Sequence, residues 1–246
     1  NGVIYNYKEL RNTLQKEGYR FFSDGDTEVV LKSYHFFGEK CIDHFDGVFA
    51  FCIYDGNKRK LFLSRDRLGI KPLYYSLDSN YFRFSSTTKS LINLEPNQIE
   101  IDKVSLHYQF TLHSVVPAPR TIIDNIKKLE PGHSLTVTFD GKIEKEKYYS
   151  FDHISLDSTL TERDALDEIE RLIILAIKKR LTTSDVPVGI LLSGGLDSSL
   201  ITAIAAKHCI SKVNTFSIGF PSIDNEEGDE FHFSDKIAKQ FNTSHQ

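Results

Sequence analysis

The 246-residue chain contains no methionine and no tryptophan, and only three cysteines. No apolar run approaches the length that crosses a bilayer, and no secretory pattern opens the chain, so a membrane partner is not expected and the cytoplasm is. Cys41, Cys52 and Cys209 are widely spaced and odd in number. They form neither a CxxC pair nor a disulfide framework, and buried free thiols in a reducing compartment are the expectation. Positive charge is also scarce: Lys and Arg number 30 against 34 Asp and Glu, a net charge of −4 with no basic cluster. That balance argues against nucleic acid as a partner. His35, His44, His107, His113 and His133 show no metal-ligand spacing, which leaves them solvated or core roles. What is plentiful is apolar and aromatic surface, 40% and 12% of residues, enough for one large core or two smaller ones.

Hydrophobic periodicity divides the chain. Tyr7 to Glu17 reads as a helix with Leu10 and Leu14 inward and Gly18 as its stop. Thr27 to Phe37 reads as a second helix, N-capped by Asp26 and closed by Gly38. Then the period shortens. Gly47–Tyr54, Lys60–Ser64, Leu73–Ser76 and Tyr81–Ser85 are strand-length pieces separated by turn residues, the pattern of an antiparallel meander. A less regular stretch follows, with Pro96, Pro117, Pro119 and Pro131, and Asp140-Gly141 marks a hairpin between Ser134–Phe139 and Lys142–Tyr148. Composition turns polar near 150–162, where Thr161 and Asp164 fit a capping box. The helix beyond it carries Ala165, Ile169, Leu172, Ile173, Ala176 and Ile177 at intervals of three or four and reaches about Leu181. Val186–Leu192, Ser198–His208 and Val213–Gly219 then spell strand, helix, strand, a βαβ unit with parallel strands, and a last helix spans about Glu230 to Phe241. The acidic run Asp224–Glu230 reads as a solvated loop, with cation binding as the other reading.

The junction between the strand ending at Leu192 and its helix carries the strongest chemical signal: Leu191-Leu192-Ser193-Gly194-Gly195-Leu196-Asp197-Ser198-Ser199. A strand that breaks at two glycines and re-enters as a helix makes a phosphate cradle. Glycine lets the backbone approach, and the first helical N–H groups aim at the anion. Ser193, Ser198 and Ser199 add hydroxyls. Asp197 would repel phosphate unless a divalent cation lay between them, and Mg²⁺ is the natural choice because it binds through few carboxylates plus phosphate oxygens. No lysine follows the glycines, so the loop is not of the Walker type. It resembles the pyrophosphate loop of the N-type ATP pyrophosphatases, which cleave ATP between its α and β phosphates to adenylate a substrate.

Asn1-Gly2-Val3-Ile4-Tyr5-Asn6-Tyr7, Phe45-Asp46-Gly47-Val48-Phe49-Ala50-Phe51 and Arg65-Asp66-Arg67-Leu68-Gly69-Ile70-Lys71-Pro72-Leu73-Tyr74-Tyr75 resemble a second family, the class II glutamine amidotransferases. Pro117–Ile122, Lys128–His133 and Ser184–Gly189 add to the likeness, and the order of the two halves is that of the glutamine-hydrolysing asparagine synthetases. The resemblance implies an α/β and α+β chain. Residues 1–155 would form an N-terminally truncated N-terminal-nucleophile hydrolase (αββα) domain. Residues 160–246 would begin a doubly wound parallel-sheet ATP pyrophosphatase domain, truncated at its C-terminus. It further implies that the chain is an internal fragment, with the nucleophilic cysteine and a substrate-binding arginine upstream of Asn1, and that the fragment alone is inactive.

By resemblance, Asn1 (side-chain amide) and Gly2 (backbone N–H) are the oxyanion donors, and Asn1, Gly2, Val3 and Asp26 bind glutamine. Taken alone, Asn1-Gly2 reads as a turn and Asp26 as an N-cap; one side chain can both cap and bind. Val3 and Thr87 depart from the acidic residues common in the family. Cys41, Cys52 and Cys209 lack a free α-amino group and are rejected as nucleophiles. Arg65–Tyr75 reads as a hairpin with a glycine turn rather than a substrate contact. In the second half, Leu191 and Ile218 would flank adenine, Ser193 to Ser199 would hold pyrophosphate, and Asp197 would hold Mg²⁺. The implied reaction converts aspartate, glutamine and ATP to asparagine, glutamate, AMP and pyrophosphate, with ammonia carried through a tunnel. A ligase for another carboxylate acceptor, such as a β-lactam synthetase, and an inactive remnant are the competing readings. A homodimer is implied only by the family.

Overall fold

The computed structural model describes residues 1–94, 99–152, 155, 159–184, 186–208, 212–219 and 231–246. Pro96, Asp185, Cys209 and the acidic run 224–230 lie outside the described residues. The chain forms two compact units, Asn1–Ser155 and Leu156–Gln246.

The first unit runs β1 (Gly2–Ile4), α1 (Tyr7–Lys16), α2 (Asp26–Phe37), a 3-10 helix (Gly38–His44), β2 (Gly47–Asp55), β3 (Lys60–Arg65), β4 (Tyr74–Leu77), β5 (Phe82–Ser85), α3 (Thr88–Ile92), α4 (Lys103–Thr111), β6 (Ile126–Lys128), β7 (His133–Thr138) and β8 (Ile143–Lys147). Five strands make an antiparallel sheet in the order β1-β2-β3-β7-β8, and β5-β4-β6 make a second sheet. Helices α1 and α2 drive Leu10, Leu14, Val29 and Tyr34 onto Phe49 and Phe62 of the first sheet and onto Phe45 just before it. On its other face Leu63 and Leu135 meet Leu73, Tyr75, Phe82 and Leu129, which come from the second sheet and the segments flanking it. Strand β3 is therefore covered on both sides, with Phe62 and Leu63 each fully buried. The layering is helix, sheet, sheet, with the short α3 against β4 and β5.

The meander expectation needs correction. The β2–β3 hairpin is present, but the other neighbour of β3 is β7, while β4 and β5 belong to the second sheet. The segment after Arg65 is consequently not a hairpin; it carries the chain from one sheet to the other. Proline-bearing residues 86–130, read as irregular, contain α3, α4 and β6. Thr87, one of the departures, N-caps α3 by accepting from the Ser90 N–H.

The second unit opens with α5 (Glu162–Thr183), whose Thr161–Asp164 capping box forms as the sequence suggests. Then come β9 (Gly189–Leu191), α6 (Leu196–His208), β10 (Asn214–Phe216), α7 (Phe231–Gln240) and β11 (Ser244–His245). All three strands are parallel, in the order β11-β10-β9. Ile177, Ala205 and Val213 form the buried core, with Ile173, Leu181 and Ile190 packed against it. The amphipathic stripe of α5 is only partly used: Ile169 and Leu172 stay exposed. Strand β9 is shorter than the apolar run Val186–Leu192, because the ladder with β10 spans only Gly189–Leu191.

Candidate functional site

In the first unit the sheet edge at β1 gathers the expected glutamine-site residues. Asn1 and Ala50 exchange both backbone hydrogen bonds, at 3.1 and 2.8 Å. Antiparallel pairing alternates, so the next pair, Gly2 and Phe49, is non-hydrogen-bonded and the Gly2 N–H points away from β2. Ile4 lies two residues on, with its N–H on that same open edge, where it donates to the Asp26 carboxylate at 2.9 Å. Asp26 therefore does not cap α2. Gly25 occupies the cap position, Asp26 is the first helical residue, and its carboxylate faces the edge that Gly2 shares. Val3 is partly exposed between them. Gly2 has φ 139°, and a Cβ there would lie 2.1 Å from the Val48 carbonyl oxygen; a Cβ on Gly47 would lie 2.3 Å from the Val3 carbonyl oxygen. Neither position admits a side chain.

Two features that the sequence reading did not foresee fix this edge. The loop before Asp26 is tied by Arg11, which donates to Asp24 and to the Gly25 carbonyl, and by Glu28, which accepts from the Phe22 and Ser23 N–H groups. Lys32, followed by these N–H donors, holds the Glu28 carboxyl down at about 2. Behind the edge, Asp66 is 1% exposed and its carboxylate accepts from the N–H groups of Phe49, Leu68, Ile70 and Lys71. The Asp66 N–H donates to the Phe49 carbonyl at 2.8 Å, so Asp66 grips both polar groups of the residue that faces Gly2. Arg65 donates to the carbonyls of Lys71, Gly69 and Leu129, and burial lowers its pKa. The charged Arg65–Tyr75 segment is thus a turn held by internal bonds, in keeping with a structural role.

Cys41 is fully buried and Cys52 partly so; burial, first among the causes, pushes both thiols up to about 12. Neither is an activated nucleophile. Among the described residues no cluster of His, Cys, Asp and Glu suits a metal, and no helix is long and apolar enough to cross a membrane.

In the second unit, Leu192 is 1% exposed, whereas Leu191 and Ile218 are 70% and 71% exposed at the carboxyl ends of β9 and β10. That end of a parallel sheet is where open α/β folds take their ligands. Ser193, Gly194 and Gly195 bridge Leu192 to α6, which starts at Leu196. Gly194 has φ 86°, and a Cβ there would lie 2.5 Å from Phe233 Cβ and 2.7 Å from the Ser234 N. Ser193 Oγ and Ser198 Oγ lie 3.1 Å apart, Ser193 Oγ accepts from the Gly195 N–H, and Ser198 Oγ donates to the Gly195 carbonyl. Asp197 stands exposed in the first turn of α6. Ser199 Oγ is buried without a hydrogen-bond partner, an orphaned donor beside the loop. A glycine bend at a helix start, three serines and one exposed carboxylate suit a nucleotide pyrophosphate accompanied by Mg²⁺.

Two family models match the chain. The Glutamine amidotransferase domain matches residues 1–149 and Asparagine synthase matches residues 168–246. An asparagine synthetase (glutamine-hydrolyzing) 1 of Bacillus subtilis strain 168 is 41% identical, over 89% of this chain and 34% of its own length. A putative asparagine synthetase (glutamine-hydrolyzing) 2 of Methanocaldococcus jannaschii is 39% identical, over 100% of this chain and 46% of its own length. A third relative, asparagine synthetase (glutamine-hydrolyzing) 3 of Bacillus subtilis, is 35% identical, over 100% of this chain and 41% of its own length. The chain thus spans less than half the length of these relatives.

Proposed function

Since the chain belongs to the glutamine amidotransferase domain family and continues into an asparagine synthase segment, we propose that the protein makes asparagine from aspartate, glutamine and ATP. In this reading the first unit binds glutamine and helps release its amide as ammonia. Gly2 N–H, free of the β2 ladder, and the Asn1 side chain stabilise the oxyanion that forms on the amide oxygen when a nucleophile adds to its carbon. Asp26, on the same edge, holds the α-ammonium group of glutamine while its contact with the Ile4 N–H keeps it in place.

The second unit binds ATP. Exposed Leu191 and Ile218 offer apolar surface to adenine, and the Ser193–Ser199 loop takes the β and γ phosphates on backbone N–H groups and hydroxyls. Asp197 would ligate Mg²⁺, which neutralises charge on the departing pyrophosphate when it is bound. The aspartate carboxylate becomes an acyl donor by adenylation, and ammonia then displaces AMP. The observation that carries this reading is the co-occurrence, on one chain, of the Gly2–Asp26 edge and the Ser193–Ser199 loop.

The test assays the complete protein with aspartate, glutamine and Mg·ATP. Asparagine should form, and Asp197→Ala should abolish it while glutamine hydrolysis persists. Undiminished synthesis by Asp197→Ala would refute the metal assignment. Turnover of ATP without asparagine would point to another carboxylate acceptor.

A further inference from the structure

Beneath the phosphate loop lies a run of polar side chains that the reading above does not use. Thr215 and Thr243 are buried, and their hydroxyl oxygens lie 2.7 Å apart. Thr215 Oγ1 is 2.9 Å from His245 Nδ1, and His245 Nε2 is 3.4 Å from Ser217 Oγ. Ser217 Oγ donates to the carbonyl of Leu192, the residue just before the loop. The Asp235 carboxylate of α7 lies 3.5 Å from Nε2 as a further neighbour.

Donor counting gives this run one direction. A hydroxyl has a single proton. Ser217 spends its proton on Leu192, so Ser217 Oγ accepts from His245 and the proton sits on Nε2. In the neutral ring Nδ1 is then an acceptor, served by the Thr215 hydroxyl, whose own oxygen is served by Thr243. Four hydrogen bonds therefore lead from Thr243 to the backbone at the mouth of the loop, crossing β11 and β10 to reach the end of β9. On its other side the loop is packed against α7, where Gly194 meets Phe233 and Ser234. The Leu192 carbonyl is held from the strands while Gly194 is held from the helix.

We propose that His245 is a positioning residue for the nucleotide loop, acting through Ser217 to fix the Leu192–Ser193 backbone in the form that receives phosphate. The proposal rests on the ATP-binding reading of that loop. It separates the two ring nitrogens, because only Nε2 faces Ser217. Glutamine places its amide near the position of Nε2, and asparagine near that of Nδ1.

The experiment compares His245→Gln and His245→Asn in the complete protein, measuring KM for Mg·ATP, kcat for synthesis and the thermal midpoint. His245→Asn should raise KM for ATP by about three- to tenfold, the worth of one lost hydrogen bond, whereas His245→Gln should stay within about twofold of wild type. Ser217→Ala should match His245→Asn, and the double variant should be no worse than either single one. Equal KM values for the Gln and Asn variants, or losses that follow only their thermal midpoints, would overturn the positioning role. A wild-type protein that binds Mg·ATP while Ser217→Ala leaves KM unmoved would also overturn it. Wild-type protein that binds no Mg·ATP would overturn both the role and the ligase reading.

Discussion

In the first unit, the backbone that presents Gly2 is held by a buried carboxylate: Asp66 satisfies four N–H groups and pins Phe49 opposite Gly2. In the second, the backbone that presents Ser193 is held through a relay of small groups, two threonines, an imidazole and a serine hydroxyl. A carboxyl group buried among four donors is costly to uncouple from them, so it allows one geometry and resists displacement. A hydroxyl can turn about its bond and exchange partners at low cost. On the proposed function, the first arrangement would suit a donor that must already be aimed when charge appears on the reacting oxygen, and the second a loop that takes up a nucleotide and lets pyrophosphate go.

The sharpest way to break this contrast is Asp66→Ala. Four backbone donors would lose their acceptor inside the protein, and destabilisation of about 3–5 kcal/mol is expected. Urea unfolding of the first unit's transition measures it, and a shift below about 1 kcal/mol would mean that the carboxylate is not the anchor. Next in size come two glycine replacements read side by side. Gly2→Ala should cut ammonia release from glutamine by about a hundredfold and leave Mg·ATP affinity alone. Gly194→Ala, strained by its positive φ and by contact with Phe233, should weaken Mg·ATP binding by about tenfold or more and spare ammonia release. If both variants damage both activities equally, the two sites are not held separately.

The smallest effect concerns acid. Glu28 has its carboxyl at about 2 in place of 4.5, so its folded pKa is the lower one. Its contribution is complete above about pH 4.5 and fades as the pH falls toward 2. Glu28→Gln should flatten the stability profile in that window only, as followed by thermal midpoints across the acid range. An unchanged slope would remove Glu28 from the set of groups that hold the loop before Asp26.

Local patterns were legible in the sequence. Leu10 and Leu14 face inward as their spacing implies, Thr161 and Asp164 form their capping box, and the turn at Asp140-Gly141 joins β7 to β8. The glycine bend between β9 and α6 could be located because strand, glycine pair and helix start are adjacent in the chain. Pairings between distant segments were not legible. Three residues are too few for β1 to show a period, and its partner starts at Gly47. The chain leaves β3 for a different sheet because Arg65 and Asp66 bond the turn that follows them and tie it to the Leu129 carbonyl and the Phe49 N–H, partners that the sequence does not place near them. Asp26 looked like a cap since aspartate often is one; its observed partner, Ile4, lies 22 positions back. His245 had no local signal at all, because Thr215 and Ser217 reach it only through the parallel register of β10 and β11.

The close approach of β1 and β2 at Gly2 and again at Gly47 has an evolutionary corollary. Each occupies a spot where even a methyl group would strike the main chain across from it. Ordinary compensation, one residue shrinking as its neighbour grows, is impossible when the obstructing atoms are backbone and no side chain can give way. Every non-synonymous change at either codon should therefore be lost under selection for glutamine use, and a saturation library scored on growth would show an empty column at each.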